Sequence, residues 1–112
     1  MDCLFCKIAN KEIESEVLFE DDYCVAFKDI NPVAPTHLLV IPKKHIDGID
    51  TINELDKEIV AHIFMIIKLL AKREGLNNGY RVISNVGADG GQSIRHLHFH
   101  LIGGKKLGWN FE

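Results

Sequence analysis

His96-Leu97-His98-Phe99-His100-Leu101-Ile102 is the stretch that decides the fold of this chain, because three histidines alternate with apolar residues. Successive side chains of a β-strand point to opposite faces, so the pattern predicts a strand with its apolar side chains in a core and its imidazoles in one row. Imidazole can be a nucleophile, a proton carrier or a metal ligand near neutral pH. A solvated face is the alternative, although exposed strand positions rarely carry histidine three times.

Length and charge bound the remaining possibilities. The chain has 112 residues, of which 46% are hydrophobic and 26% charged, so we expect one globular domain over residues 1–112. The net charge is −3, and the basic residues form only isolated pairs such as Lys43-Lys44. We therefore expect no nucleic-acid partner, because such a partner requires a basic surface.

A membrane or secreted protein is also not expected. The longest apolar stretch, residues 59–71, contains His62 and Lys68 and is shorter than the roughly 20 residues that span a bilayer. Three cysteines, an odd number, argue against a secreted disulfide framework. These features predict a cytoplasmic protein without a membrane partner.

The remaining pattern predicts an α+β fold with a five-stranded antiparallel sheet, one long helix and a short N-terminal helix. The short helix covers residues 3–9, and the predicted strands cover residues 17–20, 23–27, 37–42, 79–84 and 97–102. Asp21-Asp22 is a turn signal that makes the first two strands a hairpin.

The long helix is predicted to begin at a capping box formed by Thr51 and Glu54. Gly75 is expected to end it as the residue after the C-cap. Apolar residues between these points recur at helical spacing and predict a buried stripe, namely Leu55, Ile59, Ile63, Ile66, Ile67 and Leu70. His62 lies beside the stripe, and we expect no chemical role for it.

The histidine stretch resembles the motif of the histidine triad (HIT) family, His-φ-His-φ-His-φ-φ with φ apolar. Residues 27–32, 35–45 and 90–93 are similar to the Hint branch of that family, which comprises nucleoside phosphoramidases. The resemblance extends from Cys3 to Trp109. It implies a HIT-like fold, a homodimer, and a substrate derived from a purine nucleotide such as AMP or GMP.

The resemblance also implies catalytic roles. His98 would attack the α-phosphorus, and this requires its Nδ1 to hold the proton by donating to an acceptor such as a backbone carbonyl. His100 would donate to the phosphate oxygens, and Ser93 would help to protonate the leaving amine. His37, which begins the predicted strand over residues 37–42, would support the triad from behind.

The same resemblance implies a nucleotide-binding set. Asp29 would accept hydrogen bonds from the ribose hydroxyls, and Trp109 would reach towards the partner subunit's site. Phosphate contacts are expected from Asn85 and from the backbone amides of the glycine-rich stretch, at Gly91, Gln92 and Ser93. Four apolar residues match the purine pocket but also suit a plain core, namely Phe5, Ile8, Phe27 and Ile30. The tail, residues 107–112, departs from the ending of familiar animal members.

Cys3-Leu4-Phe5-Cys6 admits three interpretations: half of a zinc site, a redox pair, or two small buried residues. The resemblance completes a zinc site with His45 and His96, because relatives that keep these cysteines use those positions. We expect one structural zinc ion bound by Cys3, Cys6, His45 and His96, and no metal in the chemical step. Cys24, in a predicted strand, is expected to be a buried core residue.

The implied activity is hydrolysis of a purine nucleoside 5′-phosphoramidate to a nucleoside monophosphate and an amine, through a nucleotidyl-histidine. Three other functions stay open. Dinucleoside polyphosphate hydrolysis is the nearest, followed by a non-catalytic nucleotide-binding or regulatory module. A zinc-organised interaction domain would explain the cysteines but not His98, His100 and Asp29.

Overall fold

The computed structural model describes residues 3–109 and has the predicted α+β architecture. Two helices and five strands make up the regular structure, in the order α1 Leu4–Ala9, β1 Val17–Glu20, β2 Cys24–Lys28, β3 Thr36–Pro42, α2 Lys57–Arg73, β4 Tyr80–Ile83 and β5 Phe99–Gly103. The strands form one sheet in the order β1-β2-β3-β5-β4, and every neighbouring pair is antiparallel. The fold class is therefore confirmed, with strand ends shifted by one or two residues from the predicted ones.

The two helices pack on opposite faces of the sheet. Alternate residues of β3 separate the two cores: Leu38 and Val40 pack with the buried side of α2, whereas Leu39 and Ile41 pack with α1. All seven residues of β3 are buried. Because β3 is central and buried on both faces, residues 38–42 are all apolar instead of alternating between apolar and polar.

The histidine stretch follows the predicted alternation, but its strand begins later than predicted. Leu97, Phe99 and Leu101 belong to the core under α2. The strand β5 starts at Phe99, which pairs with Val40 of β3. Continuing that register would place Leu97 opposite Pro42, which has no N–H to donate, so the ladder ends. The backbone of Leu97 instead donates to Ile46 O at 2.6 Å.

The start of the long helix was predicted wrongly. The helix begins at Lys57, after a short 3₁₀ turn over Glu54–Asp56. Asn53 caps that turn: its side chain accepts from Leu55 N at 2.9 Å, and Asp56 Oδ2 accepts from Asn53 N at 3.2 Å. Thr51 Oγ1 instead bonds to Gly48. The reciprocal cap therefore lies two residues later than predicted, because Asn and Asp also satisfy the capping pattern.

The remainder of the helix matches the sequence pattern. Ile63, Ile66, Ile67 and Leu70 are buried, as predicted. Leu55 is not part of the stripe, because it precedes the helix and is 84% exposed. At the other end Gly75 adopts a left-handed φ of +72°. The N–H groups of Gly75 and Leu76 return to the carbonyls of Lys72 and Ala71, which is a Schellman ending.

The observed start of α2 at Lys57 predicts how two substitutions change the free energy of unfolding. Ile63→Ala should lower the free energy of unfolding by about 3 kcal/mol, because it leaves a cavity at a fully buried position. Leu55→Ala should change it by less than about 0.5 kcal/mol, as an exposed substitution does. Urea denaturation of both variants and the parent protein measures the difference. Equal losses would place Leu55 in the core and contradict a helix that begins at Lys57.

Within residues 3–109, neither helix is long and apolar enough to cross a bilayer.

Candidate functional site

A cavity of about 490 Å³ opens on the face of the sheet that carries α1. It brings together ten of the residues that the sequence predicted for the site: Phe5, Ile8, Phe27, Asp29, Ile30, Asn85, Gly91, Ser93, His98 and His100. Four further apolar residues of its wall were not predicted, namely Leu4, Ile13, Leu39 and Ile94. Their apolar character alone does not distinguish them from core. A larger depression of about 700 Å³ lies between residues 75–79 and 104–106, away from the histidines.

His98 has a defined tautomer in this cavity. Its Nδ1 lies 2.7 Å from the backbone oxygen of His96. A carbonyl oxygen only accepts, so Nδ1 must carry a proton, and the neutral form of the ring would then have its lone pair on Nε2. The residue is 93% buried, and its ring meets the ring of Phe5 edge to face at 5.0 Å. The hydrogen bond and the ring contact thus fix the orientation of the His98 imidazole at the cavity.

A chain of hydrogen bonds sets the tautomer of His100. The backbone N–H of Val33 donates to His37 Nδ1 at 3.1 Å, so His37 carries its proton on Nε2. That Nε2 lies 2.9 Å from His100 Nδ1 and 3.3 Å from Asp29 Oδ2. His100 Nδ1 therefore accepts, and its Nε2 is a donor. The sequence could not reveal the part of Val33, since its contribution is a backbone N–H.

Burial keeps His100 neutral. Burial and, to a lesser extent, the neighbouring imidazoles of His98 and His37 together lower the pKa of His100 to about 4, although the carboxylate of Asp29 opposes the shift. His100 can therefore donate a hydrogen bond at neutral pH without carrying a charge.

The depressed pKa of His100 predicts a loss of stability in acid. Between about pH 6.5 and pH 4 the unfolded chain binds a proton at His100 that the folded chain does not bind. The free energy of unfolding should therefore fall as the pH falls through this window, and about 2 kcal/mol of the fall should come from this residue. Urea unfolding of the parent and of His100→Gln at several pH values isolates this share, because other acid-sensitive groups are common to both. Parallel pH curves would contradict the assignment.

Asp29 and Ile30 form the wall after β2. Asp29 Oδ1 accepts from Asn31 N at 2.8 Å, and its Oδ2 faces His37, so the carboxylate is held at the cavity. Ile30 lines the same cavity although it is 89% exposed. An apolar side chain that exposed is not core, and it leaves an apolar surface free for a flat ligand. Phe5, Ile8 and Phe27 are buried and serve the core as well as the cavity.

The glycine-rich loop is braced from within. Asn85 Nδ2 donates to Gly90 O at 2.8 Å. The N–H groups of Gly91 and Gln92 donate to Ala88 O and Gly87 O at 3.1 and 2.9 Å. In this conformation those two amides already have acceptors, so the predicted phosphate contacts of Gly91 and Gln92 would require the turn to open. The exposed Ser93 lines the cavity.

Gln92 does not line the cavity, contrary to its predicted place in the nucleotide-binding set. Its side chain instead makes hydrogen bonds within the surrounding loops. Its Nε2 donates to Asp47 O at 2.8 Å and to Ile94 O at 3.0 Å, and its Oε1 accepts from Gly87 N at 2.9 Å. It thereby ties the glycine-rich loop to the segment after β3. The polar side chain in a predicted loop was the only sequence signal for this tie.

Trp109 lies apart from the cavity of its own chain. It is 83% exposed, and the guanidinium of Arg81 lies 5.8 Å from the centre of its ring. The predicted reach of Trp109 to a partner subunit stays a prediction. The last residues of the tail, 110–112, lie outside the described residues.

Cys3, Cys6, His45 and His96 come together at the end of the histidine row, with one donor atom from each within 4.8 Å of the others. Cys6 Sγ lies 3.1 Å from His45 Nδ1, and His96 Nδ1 lies 3.3 Å from Cys3 Sγ. The other ring nitrogens are held from outside, His45 Nε2 by Asp47 Oδ1 and His96 Nε2 by Pro42 O, both at 2.8 Å. Two thiols and two oriented imidazoles are the donor set of a tetrahedral zinc site.

The protonation of this cluster agrees with a metal-binding role. Burial lowers the pKa of His96 to about 4, so the ring is neutral and can ligate. Burial and the adjacent Cys3 raise the pKa of the Cys6 thiol to about 11, so this thiol would have to release its proton when a metal binds. Cys3 and Cys6 are both free thiols.

A second cluster joins the first hairpin to α2. Asp21 Oδ1 accepts from the N–H groups of Tyr23 and Cys24, and Asp21 Oδ2 lies 2.5 Å from His62 Nε2. Cys24 is fully buried, as predicted, and burial raises its pKa to about 12. His62 has no place at the cavity, but it makes a tie to Asp21 that the sequence did not predict.

Comparison with known proteins identifies the class of protein. The model of the HIT domain matches residues 10–107. The chain belongs to the HIT family.

Particular relatives agree over the whole domain. The 14 kDa zinc-binding protein of Zea mays is 46% identical over 108 residues, which cover 95% of this chain and 84% of that protein. A HIT family hydrolase from Legionella pneumophila Philadelphia 1 is 52% identical and superimposes with a TM-score of 0.95, over 96% of this chain and 97% of its own. A histidine triad protein from Clostridium difficile is 53% identical with a TM-score of 0.94, over 100% and 97%. The fold is thus that of HIT hydrolases.

Proposed function

We propose that this protein hydrolyses purine nucleoside 5′-phosphoramidates to a nucleoside monophosphate and an amine. The observation that carries the proposal is the tautomer of His98, whose Nδ1 is bonded to the carbonyl of His96 and whose Nε2 has the lone pair in the neutral form of the ring. A binding module has no need of such a nitrogen. The relation to a solved HIT family hydrolase supports hydrolysis in general.

In the first step His98 Nε2 attacks the α-phosphorus, and the P–N bond to the leaving amine breaks as the N–P bond forms. The amine leaves with the bonding electron pair and takes a proton, for which the hydroxyl of Ser93 in the cavity wall is the predicted donor. His100 Nε2–H donates to the phosphate oxygens as negative charge develops on them. His37 holds His100 in this tautomer from behind.

In the second step water attacks the phosphorus of the nucleotidyl-histidine: the O–P bond forms as the N–P bond to His98 breaks, and the proton that the water loses restores the hydroxyl of Ser93. His98 leaves as the neutral imidazole with which the cycle began. The hydrogen bond from Nδ1 to the His96 carbonyl is present throughout and keeps the ring in place. The nucleoside would lie with its ribose against Asp29 and its base among Phe5, Ile8, Phe27 and Ile30. Their apolar surfaces suit a purine but do not distinguish adenine from guanine.

We also propose that Cys3, Cys6, His45 and His96 bind one zinc ion. The support is the convergence of four donor atoms and the name of the maize relative, a zinc-binding protein. When bound, zinc supplies no chemistry to the reaction and ties the N-terminal segment to the sheet. Free thiol ligands suit a reducing compartment such as the cytoplasm.

A homodimer is the assembly we propose. Strand β4 is an edge of the sheet, and α2 leaves Phe64 and Met65 exposed, with the Phe64 ring against Phe99 of β5, the strand that pairs with β4. An open edge beside exposed apolar side chains favours pairing with a second copy. Analytical ultracentrifugation tests this, and a sedimentation coefficient of a monomer at micromolar concentration would contradict it.

A comparison of substrates tests the activity against its nearest alternative. We expect kcat/KM for a fluorogenic adenosine phosphoramidate to exceed that for diadenosine polyphosphates by at least about 100-fold, which corresponds to about 2.7 kcal/mol of transition-state stabilisation. A preference for the polyphosphates would favour the dinucleoside hydrolase. No hydrolysis of either, with AMP still bound, would favour the binding module.

A further inference from the structure

One residue links the metal cluster to the reactive histidine. His96 presents Nδ1 to the cluster, 3.3 Å from Cys3 Sγ and 3.4 Å from Cys6 Sγ. The backbone oxygen of the same residue accepts from His98 Nδ1 at 2.7 Å. If the backbone of His96 moves, its ring leaves the metal cluster and its backbone oxygen moves as well. That oxygen is the acceptor for the proton on His98 Nδ1.

A second link runs through Phe5. It lies in α1 between the two cysteines, and Cys3 Sγ accepts from Cys6 N at 3.3 Å, so all three residues share one turn. The Phe5 ring meets the rings of His98 and Phe27 edge to face at 5.0 and 5.6 Å. Helix α1 has six residues and is too short to be stable by itself. The position of Phe5 against His98 thus depends on what anchors that turn.

We propose that the cluster of Cys3, Cys6, His45 and His96, when it holds its metal, positions the nucleophile, with His96 and Phe5 as the two positioning residues. This inference rests on the proposed function and on zinc as the bound ion. The metal makes no contact with substrate in this scheme. It fixes the turn of α1 and the peptide of His96, and these two together hold the ring of His98.

The effect should fall on the chemical step more than on nucleotide affinity. Asp29 and Ile30 follow β2 and lie outside the turn that the cluster holds. His96 also keeps its bond from Nε2 to Pro42 O without a metal, so the loss of alignment should be partial. We expect removal of zinc to lower kcat about 10-fold and to raise KM by a smaller factor, because Phe5 and Ile8 of the base pocket lie in α1 whereas Asp29 and Ile30 do not.

The test uses the full chain with ¹⁵N-labelled histidine, stripped of metal by a chelator and then titrated with zinc chloride at constant neutral pH. The ring nitrogens of His98 should report the single Nδ1–H tautomer with zinc and a mixture without it. His62 is an internal control, because it bonds to Asp21 on the opposite side of the sheet. Circular dichroism should show the same secondary structure in both forms at room temperature.

Three results would overturn the inference. They are ¹⁵N signals of His98 that do not change when zinc is added, global unfolding of the metal-free chain, and failure of the chain to bind zinc. Unfolding would make the metal a stabiliser of the whole fold rather than a positioning device. Failure of the proposed function is distinguishable, since it would abolish hydrolysis in both forms while the His98 signals still responded to zinc.

A variant pair tests the part of Phe5 with the metal in place. Phe5→Leu should keep one zinc ion per chain, shift the His98 signals and lower kcat about 10-fold, because the edge-to-face contact is lost. Phe19→Leu makes the same change at an aromatic side chain of β1 that packs against the core on the α2 face of the sheet, and it should leave the His98 signals in place. Unchanged His98 signals in Phe5→Leu would remove Phe5 from the proposal.

Discussion

Replacing His98 by asparagine should lower kcat for hydrolysis of an adenosine phosphoramidate by about 10⁴-fold or more, because the reaction loses its nucleophile. AMP should still bind with an affinity within about 5-fold of the parent, since the wall of the cavity consists mostly of other residues. Stopped assays with a fluorogenic substrate measure the first quantity, and calorimetry the second.

The matched control for His98→Asn is His62→Asn, which removes an imidazole outside the cavity. Its kcat should stay within about 2-fold of the parent value, because His62 contacts Asp21 and Tyr23, and none of these three residues lines the cavity. Turnover at the parent rate in His98→Asn would exclude His98 as the nucleophile. Loss of AMP binding in the same variant would show damage to the site rather than to the chemistry.

Loss of the metal should produce the largest change in stability. A ligand that binds only the folded chain stabilises it by about 4 kcal/mol at a thousand times its Kd. In a domain of this size that amounts to a Tm higher by about 15 °C. The double variant Cys3→Ser, Cys6→Ser should therefore melt about 15 °C below the zinc-loaded parent and near the chelated parent.

Metal analysis and calorimetric melting of the same samples check this result. The parent should contain about one zinc ion per chain and the double variant almost none. Addition of chelator should lower the Tm of the parent and leave that of the double variant unchanged. If the parent protein holds no zinc, or if chelator leaves its Tm unchanged, then Cys3, Cys6, His45 and His96 are not zinc ligands.

Periodicity explains why most of the sheet and the histidine row could be predicted from sequence. The alternation of residues 96–102 places Leu97, Phe99 and Leu101 under α2 and the imidazoles on the other face, as predicted. The spacing of Cys3 and Cys6 left three interpretations open, and only the resemblance to the HIT family supplied His45 and His96, which the structure places beside the two cysteines.

The predictions that failed are those in which two local hydrogen-bonding arrangements compete for the same groups. Two capping patterns overlap before α2, and the pair Asn53 and Asp56 forms the cap because Asp56 also bonds to Lys44 at 2.5 Å. The amides of Gly91 and Gln92 were expected at the phosphate, but they close their own turn. Backbone groups such as these, and the N–H of Val33 behind His37, carry no side-chain signal.

The most direct test of His98 as the nucleophile is to mix the protein with an adenosine phosphoramidate, quench it within one turnover and map the modified peptide by mass spectrometry. We expect one nucleoside monophosphate attached to His98, in an adduct that forms and decays at rates consistent with kcat. Hydrolysis without an adduct, or an adduct on another residue, would contradict the central claim that His98 is the nucleophile.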